Sequence, residues 1–186
     1  MVAINTVAVL GVRPSPLPPF LQPTHLTLIS SQKQATGNLG PSILTALHTA
    51  GFRVTALARA SSQHTNSTPQ FPPHLEPHLA VRHVDYASFE SIKEALQGQD
   101  AVVSVVGTGA IAVQRLFVDA AVAAGVRRFV PSEFGVNTRK VRGTPIGGVL
   151  KGKIAVVDYL EEVVAKGESE LTWTGVATGL FFDWVS

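Results

Sequence analysis

The chain contains no cysteine at all, which removes disulfides, thiolate catalysis and cysteine-ligated zinc from consideration. Charge of one sign is also scarce: the formal net charge is +2, and only 15% of the 186 residues are charged. Basic residues are scattered or stand in pairs such as Arg127 and Arg128, so no patch is set up for specific nucleic-acid binding. The N-terminus lacks the basic start and cleavable apolar core of a signal peptide, and no apolar run is long enough to span a bilayer. A soluble protein of the cytoplasm is the expectation.

Two catalytic signatures are missing as well. The Y-x-x-x-K pair of ordinary short-chain dehydrogenases does not occur, nor does a G-x-S-x-G nucleophile elbow. His74 and His78 have i, i+4 spacing but lie in "PPHLEPH", where prolines prevent a regular helix, so a solvated loop is expected and no metal site. Ser132, Glu133 and the histidines form no hydrolase triad.

What is present is a regular alternation. At 45% hydrophobic residues with a mean hydropathy of +0.24, the composition is that of a compact α/β protein. "TVAVLG" reads as a strand, "PSILTALHTAG" as a helix opened by Pro41 and closed by Gly51, and "FRVTALAR" as the next strand. After a proline-rich loop from about Ala60 to Pro77 come the short strand "LAVRHVD" and the helix "SFESIKEALQG", with Ser88 as cap and Phe89, Ile92 and Leu96 on its apolar face. "DAVVSVVG" is an apolar run of the kind a strand covered on both faces carries. The helix "IAVQRLFVDAAVAAG", the strand and loop "VRRFVPSEFG", the helix "GKIAVVDYLEEVVAKG" and the strand "LTWTGVATG" complete the series. Such alternation predicts a doubly wound parallel sheet, an α/β Rossmann NAD(P)-binding fold in a single domain over residues 1–186.

In that fold a glycine-rich turn after strand one lets amides at the next helix's start approach a pyrophosphate. Here Gly11 ends strand one, but "ATGNLG" opens the helix only after the stretch from Val12 to Gln34. Removing that stretch leaves "VAVLGATGNLG", a G-x-x-G-x-x-G turn between strand and helix, with Gly11, Gly37 and Gly40 as its glycines. Thr36, Asn38 and Leu39 join them as cofactor-binding candidates. Two accounts of the stretch stand side by side. It is either a proline-rich loop on the rim of the phosphate site, of a length uncommon without structure of its own, or an unspliced intron. The intron is favoured because excision restores the motif in register: Val12 and Arg13 can be encoded from a GT start, Leu26 and Thr27 permit a CTNAC branch sequence, and Gln34 permits a terminal CAG.

At the end of strand two, where NAD-preferring folds place an acid for the ribose hydroxyls, stands Arg59. A guanidinium suits the 2′-phosphate of NADP; the alternative is a solvated strand-end residue. Asp85, ending strand three, either contacts the adenine edge or caps the helix near Ser88. Gly107, ending "VVSVVG", would lie beside the cofactor.

"VAVLG" joined to "ATGNLG", with "TALAR", "VVSVVG", "GVRRFVPSEFG" and "LTWTGVATGLFFDW", resembles the NmrA-like, isoflavone-reductase-like group of atypical short-chain dehydrogenases, in a form like its fungal members. The resemblance covers nearly all the chain except Val12 to Gln34, and "PSEFG" is its most specific piece. It implies an NADPH-dependent reductase of a small aromatic or enone-like substrate, with the lysine of a K-x-K segment as catalytic group. "LKGKIAVVDYLEE" supplies the match, making Lys151 the catalytic residue and Lys153 its neighbour. It also implies that a smaller substrate-covering region follows the point where this chain stops. Without that region, Phe181, Phe182 and Trp184 would present an apolar edge prone to self-association. Departures from the plant members are a missing second basic residue after Arg59 and a glycine-rich, apolar setting, "RGTPIGGVLKGK", around the lysine. An NmrA-like dinucleotide sensor that binds a protein partner without catalysis, or a chain that does nothing, are the alternatives to the enzyme.

Overall fold

Strand β1 (Thr6–Leu10) is a run of β-branched and apolar residues buried along almost its whole length, and it forms the centre of the sheet. The computed structural model describes residues 6–10, 39–60 and 79–180; the turn residues Gly11, Thr36, Gly37 and Asn38, the histidines His74 and His78, and Phe181 to Trp184 lie outside them. In chain order the described elements are β1, α1 (Leu39–Thr49), β2 (Arg53–Arg59), β3 (Ala80–Val84), α2 (Phe89–Leu96), β4 (Ala101–Ser104), a 3₁₀ turn (Thr108–Val113), α3 (Gln114–Ala123), β5 (Arg128–Val130), α4 (Pro145–Val149), α5 (Lys151–Lys166) and β6 (Thr172–Trp173).

The six strands form one sheet in the order β3-β2-β1-β4-β5-β6, and every neighbouring pair is parallel. This is the α/β Rossmann-like arrangement that the alternation predicts. Along β1 the period of two sends Ala8 and Leu10 into one core and Val7 and Val9 into the other. The first core gathers Ile92 and Leu96 of α2, Phe117 and Ala121 of α3, and Val156 and Leu160 of α5. The second gathers Leu44 of α1. Tyr86 and Phe117 meet edge to face with ring centroids 5.0 Å apart, a favourable quadrupole geometry, and the Tyr86 hydroxyl donates to the Leu57 carbonyl at 2.8 Å.

The amino end of the sheet is closed by its own polar groups. The Asp100 carboxylate accepts from the Thr6 backbone N–H at 2.8 Å and pairs with Arg127, while the Asp100 N–H donates to the Thr6 hydroxyl at 2.8 Å. Among the described residues no helix is long and apolar enough to cross a membrane.

Three local features differ from the expectation. Helix α1 starts at Leu39, two residues before the proline read as its opening. The segment from Ile111 to Gly125 enters through a 3₁₀ turn before α3 begins at Gln114. The glycine-rich "TPIGGV" forms α4, with the Thr144 hydroxyl accepting from the Gly147 N–H at 3.2 Å and Pro145 at the helix start. Two glycines lower helix propensity, but a threonine cap followed by proline is the pattern that starts one.

Candidate functional site

β1 and β4 are neighbours whose crossovers run to opposite faces of the sheet, so their carboxyl ends flank the point where the topology reverses. Leu10 pairs with Ser104 at that edge. Crevices of this kind take ligands because nothing in the sheet itself fills them. Helix α1 starts at the same edge, its first turn carries no acidic residue, and Gly40 is buried there. The unpaired amides and dipole of such a helix start favour an anion. At the same edge, on the face of the sheet opposite α1, the Ser104 hydroxyl is buried and makes no hydrogen bond among the described residues. A buried polar atom of that kind is completed by a polar ligand or an ordered water.

Arg59 ends β2 on the exposed edge, its guanidinium 5.2 Å from the centre of the Tyr86 ring. Asp85 follows β3 and shapes a turn: its carboxylate accepts from the Ala87 N–H at 2.9 Å, and its carbonyl accepts from the Ser88 N–H at 3.1 Å. The helix cap itself is Ser88, which accepts from Ser91 at 3.2 Å. Gly107 is extended and only half-buried, leading from β4 into the 3₁₀ turn. Leu39 and Gly40 thus lie at the start of α1, Arg59 at the carboxyl end of β2 and Gly107 just beyond that of β4, an arrangement that fits a dinucleotide.

A second group of residues gathers where the chain leaves β5. The Glu133 N–H reaches back to the Pro131 carbonyl at 2.7 Å, a three-residue turn, and Phe134 has φ of 30°. For a non-glycine residue that backbone costs about 1–3 kcal/mol and persists only where its surroundings hold it. They do so here. The Ser132 N–H donates to the Gln114 side-chain oxygen at 2.8 Å, and the Ser132 hydroxyl donates to the Val106 carbonyl at 2.7 Å. The Thr138 hydroxyl donates to the Glu133 carboxylate at 2.6 Å. Gln114, Ser132, Glu133 and Thr138 are all buried.

The Lys153 ammonium donates to the Glu133 carbonyl. Burial lowers its pKa from the ordinary lysine value, and the nearby Glu133 carboxylate opposes that shift. Lys151 opens α5 and is exposed. Between them, Gly152 lets α5 pack close to the 3₁₀ turn: a Cβ there would stand 3.3 Å from the Ile111 side chain. Of the K-x-K pair, Lys153 is therefore the inward member. The signal was in the helix period, because Lys153 shares a stripe with buried Val156, Val157 and Leu160 at i+3, i+4 and i+7, whereas Lys151 does not. Glu133, Gln114 and Ser132 carried no such signal, because their roles depend on which loops the sheet brings together.

Next to Glu133 is a cavity of about 80 Å³ lined also by Asn137, Arg139, Val157, Trp173, Gly175 and Ala177. Arg139 lies over the Trp173 ring at 4.7 Å and pairs with Glu161 at 2.8 Å. Among the described residues no group of histidine and carboxylate side chains could hold a metal ion.

Residues 33–183 match the model of the NmrA-like family. The chain belongs to the NmrA-like family. The match begins just before Ala35 to Gly40, and it leaves β1 outside although β1 occupies the central place in the sheet. Relatives include the oxidoreductase aprR of Aspergillus flavus, 43% identical over 151 residues, covering 80% of this chain and 47% of that protein. The oxidoreductase poxI of Penicillium oxalicum is 33% identical over 165 residues, covering 89% and 49%. The chain thus spans about half the length of the relatives it matches. Among solved structures, AtPrR2 with NADP+ and (+)-pinoresinol superimposes with a TM-score of 0.70 at 20% identity, over 95% of this chain and 50% of that one. The leucoanthocyanidin reductase of Vitis vinifera, bound to NADPH, gives a TM-score of 0.64 at 24% identity, over 93% and 49%. These likenesses are of fold, and they place this NmrA-like chain's sheet among those of NADP(H)-bound proteins.

Proposed function

We propose that this chain carries the NADPH-binding part of an isoflavone-reductase-like oxidoreductase that reduces a small aromatic or enone-like substrate in the cytoplasm. The observation that carries the reading is the Lys153 ammonium, half-buried and held on the Glu133 carbonyl at the carboxyl edge of a sheet of dinucleotide-binding topology. Two NADP(H)-bound structural neighbours and relatives named oxidoreductases support it.

The residues divide the work by chemistry. Leu39 and Gly40 at the start of α1 supply amides for the pyrophosphate, the role that the G-x-x-G-x-x-G reading of the sequence also gives Gly11, Thr36, Gly37 and Asn38. Arg59 supplies a planar, fixed charge for the 2′-phosphate. Gly107 keeps the floor beside β4 free of side chain, and Asp85 borders the adenine end. When bound, NADPH supplies the hydride. From the K-x-K pair of Lys151 and Lys153, the inward Lys153 is the proton-handling group. Partial desolvation brings its pKa down from that of a free lysine, so that the ammonium is a better acid toward a substrate oxygen that gains charge during reduction. Glu133 holds that ammonium in place through its carbonyl and tempers the pKa shift through its carboxylate.

The test pairs binding with turnover. Lys153→Met should leave NADPH binding unchanged while abolishing NADPH oxidation with a panel of aromatic enones, whereas Lys151→Met should retain turnover. Oxidation at the unmodified rate by Lys153→Met would remove that lysine from the chemistry, and loss by Lys151→Met alone would move the role to Lys151.

A further inference from the structure

The two groups of site residues are joined by buried hydrogen bonds that the proposed chemistry does not itself use. Val106 directly precedes Gly107, the residue of β4's exit that would border the cofactor. Its carbonyl accepts from the Ser132 hydroxyl at 2.7 Å. Ser132 directly precedes Glu133, whose carbonyl holds the Lys153 ammonium. The remaining polar group of that turn is fixed too, since the Ser132 N–H donates to the Gln114 side chain at 2.8 Å from the first turn of α3. A continuous path therefore runs from Gly107 through Val106, Ser132 and Glu133 to Lys153.

The path is held stiffly. Gln114 is 1% exposed and Ser132 7%, so breaking either bond strands a buried partner with no water to replace it. The turn they hold is not one the backbone chooses freely, as the Glu133-to-Pro131 bond and the Phe134 φ of 30° show. A displacement of Val106 is thus transmitted to the Glu133 carbonyl rather than absorbed by a loose loop.

We propose that Ser132 and Gln114 are positioning residues that couple the floor of the cofactor crevice to Lys153, so that occupancy of the crevice sets the environment of the lysine. The inference rests on the NADPH reading above, and coupling between sites is reciprocal whatever the path.

The experiment measures the acetylation rate of Lys153 by acetic anhydride, read by peptide mass spectrometry, with and without saturating NADPH. NADPH affinity is followed separately by nicotinamide fluorescence. In the unmodified chain NADPH should change the Lys153 rate by roughly fivefold or more, the lower end of ordinary coupling. Ser132→Ala should still bind NADPH but lose that response, and Ser132→Thr, which keeps the hydroxyl, should restore it. A full response in Ser132→Ala would mean that the cofactor shields the lysine directly and would overturn the inference. NADPH binding without any response in the unmodified chain would overturn it while leaving the cofactor reading intact; absence of NADPH binding would overturn both. If Ser132→Ala does not fold, hydrogen exchange at Glu133 and Phe134 of the unmodified chain replaces it: slowing by NADPH supports the coupling, and unchanged exchange refutes it.

Discussion

The two adjacent glycines of α4 should respond to alanine in opposite ways. A Cβ on Gly147 would stand 2.1 Å from the Val141 carbonyl oxygen and 3.0 Å from its carbon, whereas one on Gly148 would meet nothing within 4 Å. The first contact must open by about 0.9 Å to reach even 3.0 Å, and the obstructing atoms are backbone, which cannot swing away as a side chain would. Replacing glycine by alanine in a helix gains about 1 kcal/mol at either position, so that term cancels between the two variants. What remains is the overpacking strain of about 1–3 kcal/mol, toward the upper end because backbone must move. For a chain of this size 1 kcal/mol shifts Tm by roughly 2–4 °C. Gly147→Ala should therefore melt roughly 6–12 °C below Gly148→Ala, with Gly148→Ala at or slightly above the unmodified chain. Scanning calorimetry on the three proteins decides it. Equal melting temperatures for the two variants would refute the packing of α4 against the Val141 segment, and with it the path by which α4 delivers α5 to the site.

Two further predictions follow from the core and from Lys153. Phe117 is fully buried and edge-on to Tyr86, so Phe117→Ala should cost about 3–5 kcal/mol in urea unfolding, and a loss under 1 kcal/mol would contradict its central place. Because burial lowers the Lys153 pKa below 10.5, the unfolded chain binds the proton more readily in the window between the lowered value and 10.5. Stability should thus rise with pH through that window, the desolvation penalty being fully present below it. Lys153→Met should flatten the rise, and Glu133→Gln, which removes the opposing charge, should move its onset to lower pH. Unfolding midpoints measured across pH would expose the error if the unmodified chain and Lys153→Met ran parallel.

Much of the fold was legible because its signals are local and repeated. "TVAVLG", "FRVTALAR" and "DAVVSVVG" are apolar runs of strand length, and Ser88 and Gly167 mark a helix start and a helix end that the structure places where the caps imply. The placement of Arg59 at the end of β2 and of Gly107 just past β4 was legible, because a doubly wound sheet brings its strand ends to one edge. It was not legible where contact depends on tertiary approach. Gln114 is an unremarkable residue in an apolar helix until the Ser132 turn is placed on it, and Thr138 gives no sign that it bonds Glu133. α4 was not read in the sequence because its two glycines lower helix propensity, and Gly147's close approach to Val141 is a tertiary contact. The inward place of Lys153 was readable from the helix period, whereas the choice of Lys151 came from the family resemblance.

In the proposed function this chain holds NADPH at the carboxyl edge of its sheet, with Arg59 reading the 2′-phosphate. The most direct test titrates the chain with NADPH and with NADH, and repeats both with Arg59→Ser. A charge-assisted contact of about 1.5–3 kcal/mol predicts that NADPH binds roughly 10- to 150-fold tighter than NADH and that Arg59→Ser erases the difference. Equal affinities in the unmodified chain, or no saturable binding of either nucleotide, would contradict the account.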